Sequence, residues 1–279
     1  MLLRSKGREL DLSRPQVMGI LNVTPDSFSD GNSYRQKDAA LRHAARLCAE
    51  GATLLDIGGE STRPGAAEVA VQEELERVLP VAEAVLAELD VMVSVDTSKP
   101  EVIRAACRAG IHLVNDIRAL RLPGALEATA ADPEVLVCLM HMQGDPQTMQ
   151  IAPHYGDMLA EVYDFLLARI QACEAAGIQR GRLLLDPGYG FGKTLEQNYR
   201  LLGQQARFLE LGCPLLVGMS RKSMIGNLLD RPVNERLAGS LAAALFAAQA
   251  GARIIRVHDV KETCDALRVF DYAQECSKQ

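Results

Sequence analysis

The polar side chains of this 279-residue chain recur at regular places. Eight short runs rich in Val, Ile and Leu each end on or near groups able to hydrogen-bond or carry charge. In order these are Asn22, Asp56, Asp96, Asn115 with Asp116, His141, Asp186, Ser220-Arg221-Lys222, and Arg256 with His258. Asn, Asp and Ser also cap helices, so any one of them alone is more economically a cap or turn residue. Arg and Lys are poor N-caps, and their presence after the last two runs calls for an anionic ligand facing a carboxylate-rich wall. Arg63, inside Asp56-Ile57-Gly58-Gly59-Glu60-Ser61-Thr62-Arg63-Pro64-Gly65, stands in a glycine-rich loop where it could fold over an anion or simply be solvated; spacing does not choose. His43 on a helix and His112 at the start of a run read as structural, whereas His258 beside Asp259 favours function. Gly188-Tyr189-Gly190-Phe191-Gly192-Lys193-Thr194 imitates the end of a phosphate-binding loop. Its first glycine is replaced by Pro187, and it misses the dinucleotide spacing by one residue, so neither motif is accepted.

The elements that must hold these groups alternate. Candidate strands are Val17–Asn22, Leu54–Ile57, Val91–Val95, Leu113–Asn115, Val135–Met140, Leu183–Leu185, Leu215–Val217 and Ile254–Val257. Helix-like stretches separate them: Lys37–Glu50, Val69–Leu89, Pro100–Ala109, Gly124–Ala131, Asp157–Ala176, Leu195–Leu211, Val233–Ala250 and Lys261–Ala273. Ser98 ahead of Pro100 reads as a possible N-cap, and Gly110 and Gly177 read as left-handed stops. Nearly all-apolar strands are those of a parallel sheet covered on both faces. Eight such units over residues 1–279, with no linker or low-complexity tract, predict one domain with the α/β architecture of a single (β/α)8 TIM barrel and an active site at the C-terminal ends of its strands. A doubly wound open sheet is the alternative, but it would carry a Gly-rich turn after its first strand, where this chain has Gly19-Ile20-Leu21-Asn22-Val23-Thr24-Pro25.

Composition narrows the partners. Thirty Lys and Arg against 36 Asp and Glu, with no basic patch, argue against nucleic acid. The longest strictly apolar run, Leu241 to Ala248, is far short of the roughly 20 residues that cross a bilayer. Met1-Leu2-Leu3-Arg4 does not read as a secretory signal, and the seven cysteines, lacking any C-x-x-C pair, read as reduced. We expect a cytoplasmic protein that binds neither membrane nor nucleic acid.

Several segments carry a longer likeness: Asn22-Val23-Thr24-Pro25-Asp26-Ser27-Phe28-Ser29-Asp30, the Asp56 to Gly65 loop, Ser94-Val95-Asp96-Thr97, Val114-Asn115-Asp116, Asp186-Pro187-Gly188, Gly218-Met219-Ser220-Arg221-Lys222 and Arg256-Val257-His258-Asp259. In this order and spacing, from about Val17 to Leu267, the chain resembles the dihydropteroate synthase family. The resemblance implies a (β/α)8 barrel that joins 6-hydroxymethyl-7,8-dihydropterin diphosphate to 4-aminobenzoate, releasing diphosphate and giving 7,8-dihydropteroate for folate synthesis. It implies that the carbon–oxygen bond breaks first, leaving a cationic pterin methylene that fixed carboxylates stabilise.

By the same resemblance the pterin is held by Asp56, Asp96, Asn115, Asp186, Lys222 and Arg256, and the diphosphate by Asn22, Thr62, Arg63, Arg256 and His258. Phe28, Pro64, Phe191, Lys222 and Ser223 bind the aminobenzoate, and Asp96, Lys222, Asp30 and Arg63 are catalytic. Mg2+ would arrive with the diphosphate and take Asn22 as its protein ligand. The loops after the first two strands would close over the diphosphate, making binding ordered, and sulfonamides would inhibit by mimicking the aminobenzoate. Asn32 stands where a second glycine is common, which alters that loop's freedom but not activity. The family usually forms a homodimer. The small-residue, apolar stretch within Val233–Ala250 would be either a buried helix or a subunit interface. Other readings are a pterin-binding methyltransferase barrel, a pterin-binding paralogue without turnover, and an aldolase using Lys222 as a Schiff base.

Overall fold

Each apolar run becomes a strand of a closed parallel barrel. The computed structural model describes residues 1–24, 33–61, 65, 68–145, 148–149 and 153–277. It opens with an antiparallel hairpin, β1 (Leu2–Ser5) and β2 (Arg8–Asp11). The barrel strands follow: β3 (Gln16–Asn22), β4 (Leu54–Gly58), β5 (Met92–Asp96), β6 (Leu113–Asp116), β7 (Leu136–Met140), β8 (Leu183–Asp186), β9 (Leu215–Val217) and β10 (Ala252–Val257). They run in sequence order, and β10 closes on β3, which excludes the open-sheet alternative. The helices are α1 (Ser33–Ala49), α2 (Val71–Glu88), α3 (Pro100–Ala109), α4 (Ala125–Ala130), α5 (Met158–Ala175), α6 (Leu195–Gly203), α7 (Ser223–Leu229), α8 (Leu237–Gln249) and α9 (Val260–Cys276).

Alternation along each strand sorts the side chains into layers. Outward positions such as Leu55, Ile57, Val93, Val95, Val114, Val137 and Ile255 pack against the helices in the main core. Inward positions Met18, Leu54, Met92, Leu113, Leu136, Leu184, Leu216 and Ile254 fill the lower barrel. Two residues further along, five of these strands are polar: Leu54 gives way to Asp56, Met92 to Ser94, Leu113 to Asn115, Leu184 to Asp186 and Ile254 to Arg256. The inward layer therefore changes from apolar to charged within one strand repeat, at the C-terminal end.

The hairpin is absent from the sequence reading. It seals the other end of the barrel by placing Leu3, Leu10 and Leu12 in the lower layer. Its tight turn puts Lys6 at φ 47° and Gly7 at φ 78°, the doubly left-handed turn that suits strand twist. Ser5 Oγ donates to the His112 carbonyl at 3.0 Å, and His112 Nδ1 accepts from Val93 N at 3.0 Å, so His112 is structural as expected.

Other boundaries differ for local reasons. The expected Leu195–Leu211 helix stops at Gly203 and continues as a 3-10 segment, Gln205–Leu211. There the buried Gln205 accepts from Tyr189 Oη and donates to the Ala247 carbonyl, a tertiary bond that propensity does not register. The Val233–Ala250 stretch starts with a 3-10 turn and becomes helical at Leu237, and α7 is too short for periodicity to reveal. Gly110 and Gly177 adopt the expected left-handed conformation. Ser98, read as an N-cap, instead hydrogen-bonds the Asp116 carboxylate, and the cap position is Lys99. The cysteines among the described residues are free thiols, and no helix of those residues is long and apolar enough to cross a membrane.

Candidate active site

The polar layer at the barrel mouth is organised around Asp56, which is fully buried. Its Oδ1 accepts from Ser94 Oγ at 2.5 Å, and its Oδ2 accepts from Asn115 Nδ2 at 2.9 Å and Arg256 Nε at 2.5 Å. Strand register places Asp56 beside Ser94 and, two residues further along β5, Asp96 beside Asn115. Both Asp56 oxygens are engaged by Ser94, Asn115 and Arg256, which it orients.

Arg256 corrects an expectation. Opposed acidic and basic walls were predicted, yet the Arg256 side chain reaches between the acids, and Nη2 donates to Asp96 Oδ2 at 3.0 Å. Two carboxylates thus fix the plane of one guanidinium. Burial, with the neighbouring Asp56 charge, pushes the Asp96 carboxyl up to about 7 against the pull of Arg256. Asp96 and the Asn22 amide oxygen flank Gly58, where an added Cβ would lie 3.7 Å from Asn22 Oδ1 and 4.0 Å from Asp96 Oδ2.

Across the mouth, the buried Asp186 is held by Gly188 N at 2.8 Å, and burial raises its carboxyl above the usual range against the opposing charge of Lys222. Lys222 Nζ donates to the Tyr189 carbonyl at 2.7 Å and sits 4.5 Å above the centre of the Phe191 ring. Burial lowers its ammonium to about 8, opposed by Asp186. Phe191 belongs to a small apolar cluster with Ile117, Met140, Met142 and Met149. A cation, a carboxylate and an apolar ring therefore meet at one rim, with Ser223 exposed at the start of α7. His258 Nδ1 is 3.1 Å from Ser220 Oγ. Arg221, included in the anion-binding cluster by sequence, turns to Asp259, with Nε 2.9 Å from Oδ2, so Lys222 is the cation of that segment at this rim. Phe28, Asp30, Thr62, Arg63 and Pro64 lie outside the described residues.

Lys193 was missed. It is buried with no carboxylate in hydrogen-bond reach among the described residues, and its Nζ reaches His141 Nδ1 at 3.0 Å, the Gly188 carbonyl at 2.9 Å and the Phe191 carbonyl at 3.1 Å. Burial lowers its ammonium to about 7, and burial together with the Lys193 charge lowers His141 to about 2. The loop it ties approaches β7 so closely that a Cβ on Gly188, at φ 76°, would lie 1.8 Å from the His141 carbonyl oxygen. The signal was the very segment rejected as a phosphate loop, whose Thr194 begins α6 with a capping box to Gln197. Lys193→Met would remove the ammonium donor from His141 Nδ1 and the Phe191 carbonyl, and leave the Gly188 carbonyl with the Phe191 backbone N–H alone. We expect about 2–4 kcal/mol lower stability in urea denaturation.

Carboxylates, an amide and two cations thus surround the mouth of a (β/α)8 barrel sealed below. The family described as "Pterin binding enzyme" matches residues 18–258. The chain is 59% identical over 271 residues to the dihydropteroate synthase of Escherichia coli K12, covering 97% of this chain and 96% of that one. It is 52% identical over 270 residues to the Haemophilus influenzae enzyme, covering 97% and 98%. Among solved structures, the Yersinia pestis dihydropteroate synthase in a sulfonamide drug complex superposes with a TM-score of 0.94 at 57% identity, covering 99% and 100%. The Xanthomonas albilineans enzyme in complex with 7,8-dihydropteroate gives 0.87 at 50%, covering 98% of each chain. This chain belongs to the dihydropteroate synthase family, transferases that condense pterin-methyl diphosphate with 4-aminobenzoate.

Proposed function

We propose that the chain makes 7,8-dihydropteroate by a dissociative substitution on 6-hydroxymethyl-7,8-dihydropterin diphosphate. The observation that carries this reading is the inward ring of Asp96, Asn115, Asp186 and Lys222 around Arg256, with Asp56 bonded to Asn115 and Arg256. A pterin presents amino and N–H donors beside ring-nitrogen and carbonyl acceptors. Asp186 accepts from the donors, Asn115 pairs with ring nitrogens, and Lys222 donates to the carbonyl side. Arg256, its plane held by two carboxylates, lies along the ring face. As the carbon–oxygen bond opens, Asp96 and, from the first loop, Asp30 stabilise the methylene cation, and the aminobenzoate nitrogen then attacks and loses its proton.

Arg63, Thr62, Arg256, His258 and Asn22 take the diphosphate. Phe28, Pro64, Phe191, Lys222 and Ser223 take the aminobenzoate, and sulfonamides would compete there. Among the described residues no group of three His, Cys, Asp or Glu could hold a metal. A single amide oxygen at Asn22 fits Mg2+ that keeps its waters and travels with the diphosphate. When bound, the ion would neutralise the leaving group. Supplying both substrates and Mg2+ should release diphosphate, and chelation should suppress that release. No release at any substrate level would overturn the reading.

We also propose a homodimer. The α8 helix is not fully buried: Phe246 is 52% exposed, and Leu237, Leu228, Leu229 and Val233 are exposed near it. Sedimentation at micromolar concentration should give twice the 30.3 kDa chain mass. A species of chain mass alone would count against it.

A further inference from the structure

An ion cluster outside the pocket holds the base of the second loop. Lys99 is 8% exposed. Its Nζ lies 2.7 Å from Glu60 Oε2 and 2.6 Å from Glu74 Oε2. The other oxygen of Glu60 accepts from the Val69 backbone N–H at 3.2 Å. One carboxylate therefore joins the chain where it leaves β4 to the chain where it enters α2, closing the stem of segment 61–68, which carries Thr62, Arg63 and Pro64. The same stem is gripped from α2, because Arg77 Nη1 donates to the Gly59 carbonyl at 2.8 Å. Gly59 packs so tightly that an added Cβ would be 2.7 Å from Val78 Cγ2.

Burying one ammonium with two carboxylates carries a desolvation cost that apolar packing would avoid. Part of that cost is visible, since Glu74 Oε1 is buried with no hydrogen-bond partner among the described residues. What the cluster adds is direction: charge-assisted bonds fix the angle at which the chain leaves the barrel. Lys99 also stands three residues after Asp96, at the turn between β5 and α3.

We infer that Lys99, Glu60 and Glu74 are positioning residues that fix the stem of segment 61–68 at the end of β4, and that the grip on diphosphate and aminobenzoate depends on that stem. This rests on the proposed function above. The test uses the full-length protein and two pterin probes. Calorimetry with 6-hydroxymethyl-7,8-dihydropterin reads the strand-end pocket alone. The gain in affinity on adding the diphosphate, and the KM for 4-aminobenzoate, read the loop.

We expect Lys99→Met and Glu60→Gln to leave bare-pterin affinity within about twofold, while the diphosphate gain shrinks and the aminobenzoate KM rises by about tenfold each. Lys99→Arg should recover most of both. Glu60→Gln keeps an acceptor for Val69 and stands in if Lys99→Met fails to fold. The inference is overturned if bare-pterin binding falls as far as the other readouts, or if both variants match the wild type. Absence of bare-pterin binding in the wild type would instead remove the pocket reading, and the inference with it.

Discussion

Asp56→Ala should lower folding stability by about 3–5 kcal/mol and reduce turnover below detection. The side chain is fully buried and holds three donors, from Ser94, Asn115 and Arg256. Removing it leaves the Arg256 guanidinium facing Asp96 alone, and breaking a buried pair costs far more than the intact pair contributes. Asn115 loses the acceptor that aims its amide, so the pocket is lost along with stability. Asp56→Asn separates the two effects. Its amide oxygen can face Asn115 and Arg256, while its NH2 faces Ser94, whose hydroxyl can turn to accept. That variant should fold with close to wild-type urea resistance yet bind pterin weakly, because a neutral acceptor holds a guanidinium less firmly. Equal stability for Asp56→Ala and wild type would remove Asp56 from the centre of the network.

This role was only half legible in the sequence. Polar residues ending apolar runs placed Asp56, Asp96, Asn115, Asp186, Lys222 and Arg256 at one end of a barrel, and strand periodicity sufficed because each run is short, apolar and turn-bounded. Depth was not legible. Asp56 sits two residues before the end of β4, and only the register beside Ser94 shows that its carboxylate is consumed by neighbours. The path of a long side chain was also hidden: Arg256 comes from β10 yet bonds to acids on β4 and β5, across the β3 strand between them. Arg221 and Asp259, from loops next to each other at the mouth, pair over a sequence separation that no motif marks. The hairpin escaped because its core residues Leu3, Leu10 and Leu12 are interleaved with charges and too few to set a period. Lys193 escaped because a lysine satisfied by carbonyls and an imidazole nitrogen leaves no charge partner in the sequence to find.

Asp96→Asn should reduce kcat/KM for the pterin diphosphate by about 10²–10³-fold and remove the acid limb of its pH profile. The residue must be a carboxylate to stabilise a forming cation, and burial with Asp56 beside it holds its protonation near neutrality, at about 7. Lys222 must be an ammonium to donate, and burial brings it to about 8. In the wild type, kcat/KM should therefore rise as Asp96 ionises, pass through a maximum between about 7 and about 8, and fall as Lys222 loses its proton. Stability runs the other way. The folded state raises the Asp96 carboxyl above its usual 3.8, so the fold favours the protonated form. Its contribution is full below about 4 and falls away as pH rises to about 7, because over that range the native state holds a proton that the unfolded chain has already released. Asp96→Asn, which cannot ionise, should flatten that decline in urea midpoints between about pH 4 and about 7. An acid limb that persists in the variant would assign the titration to another group.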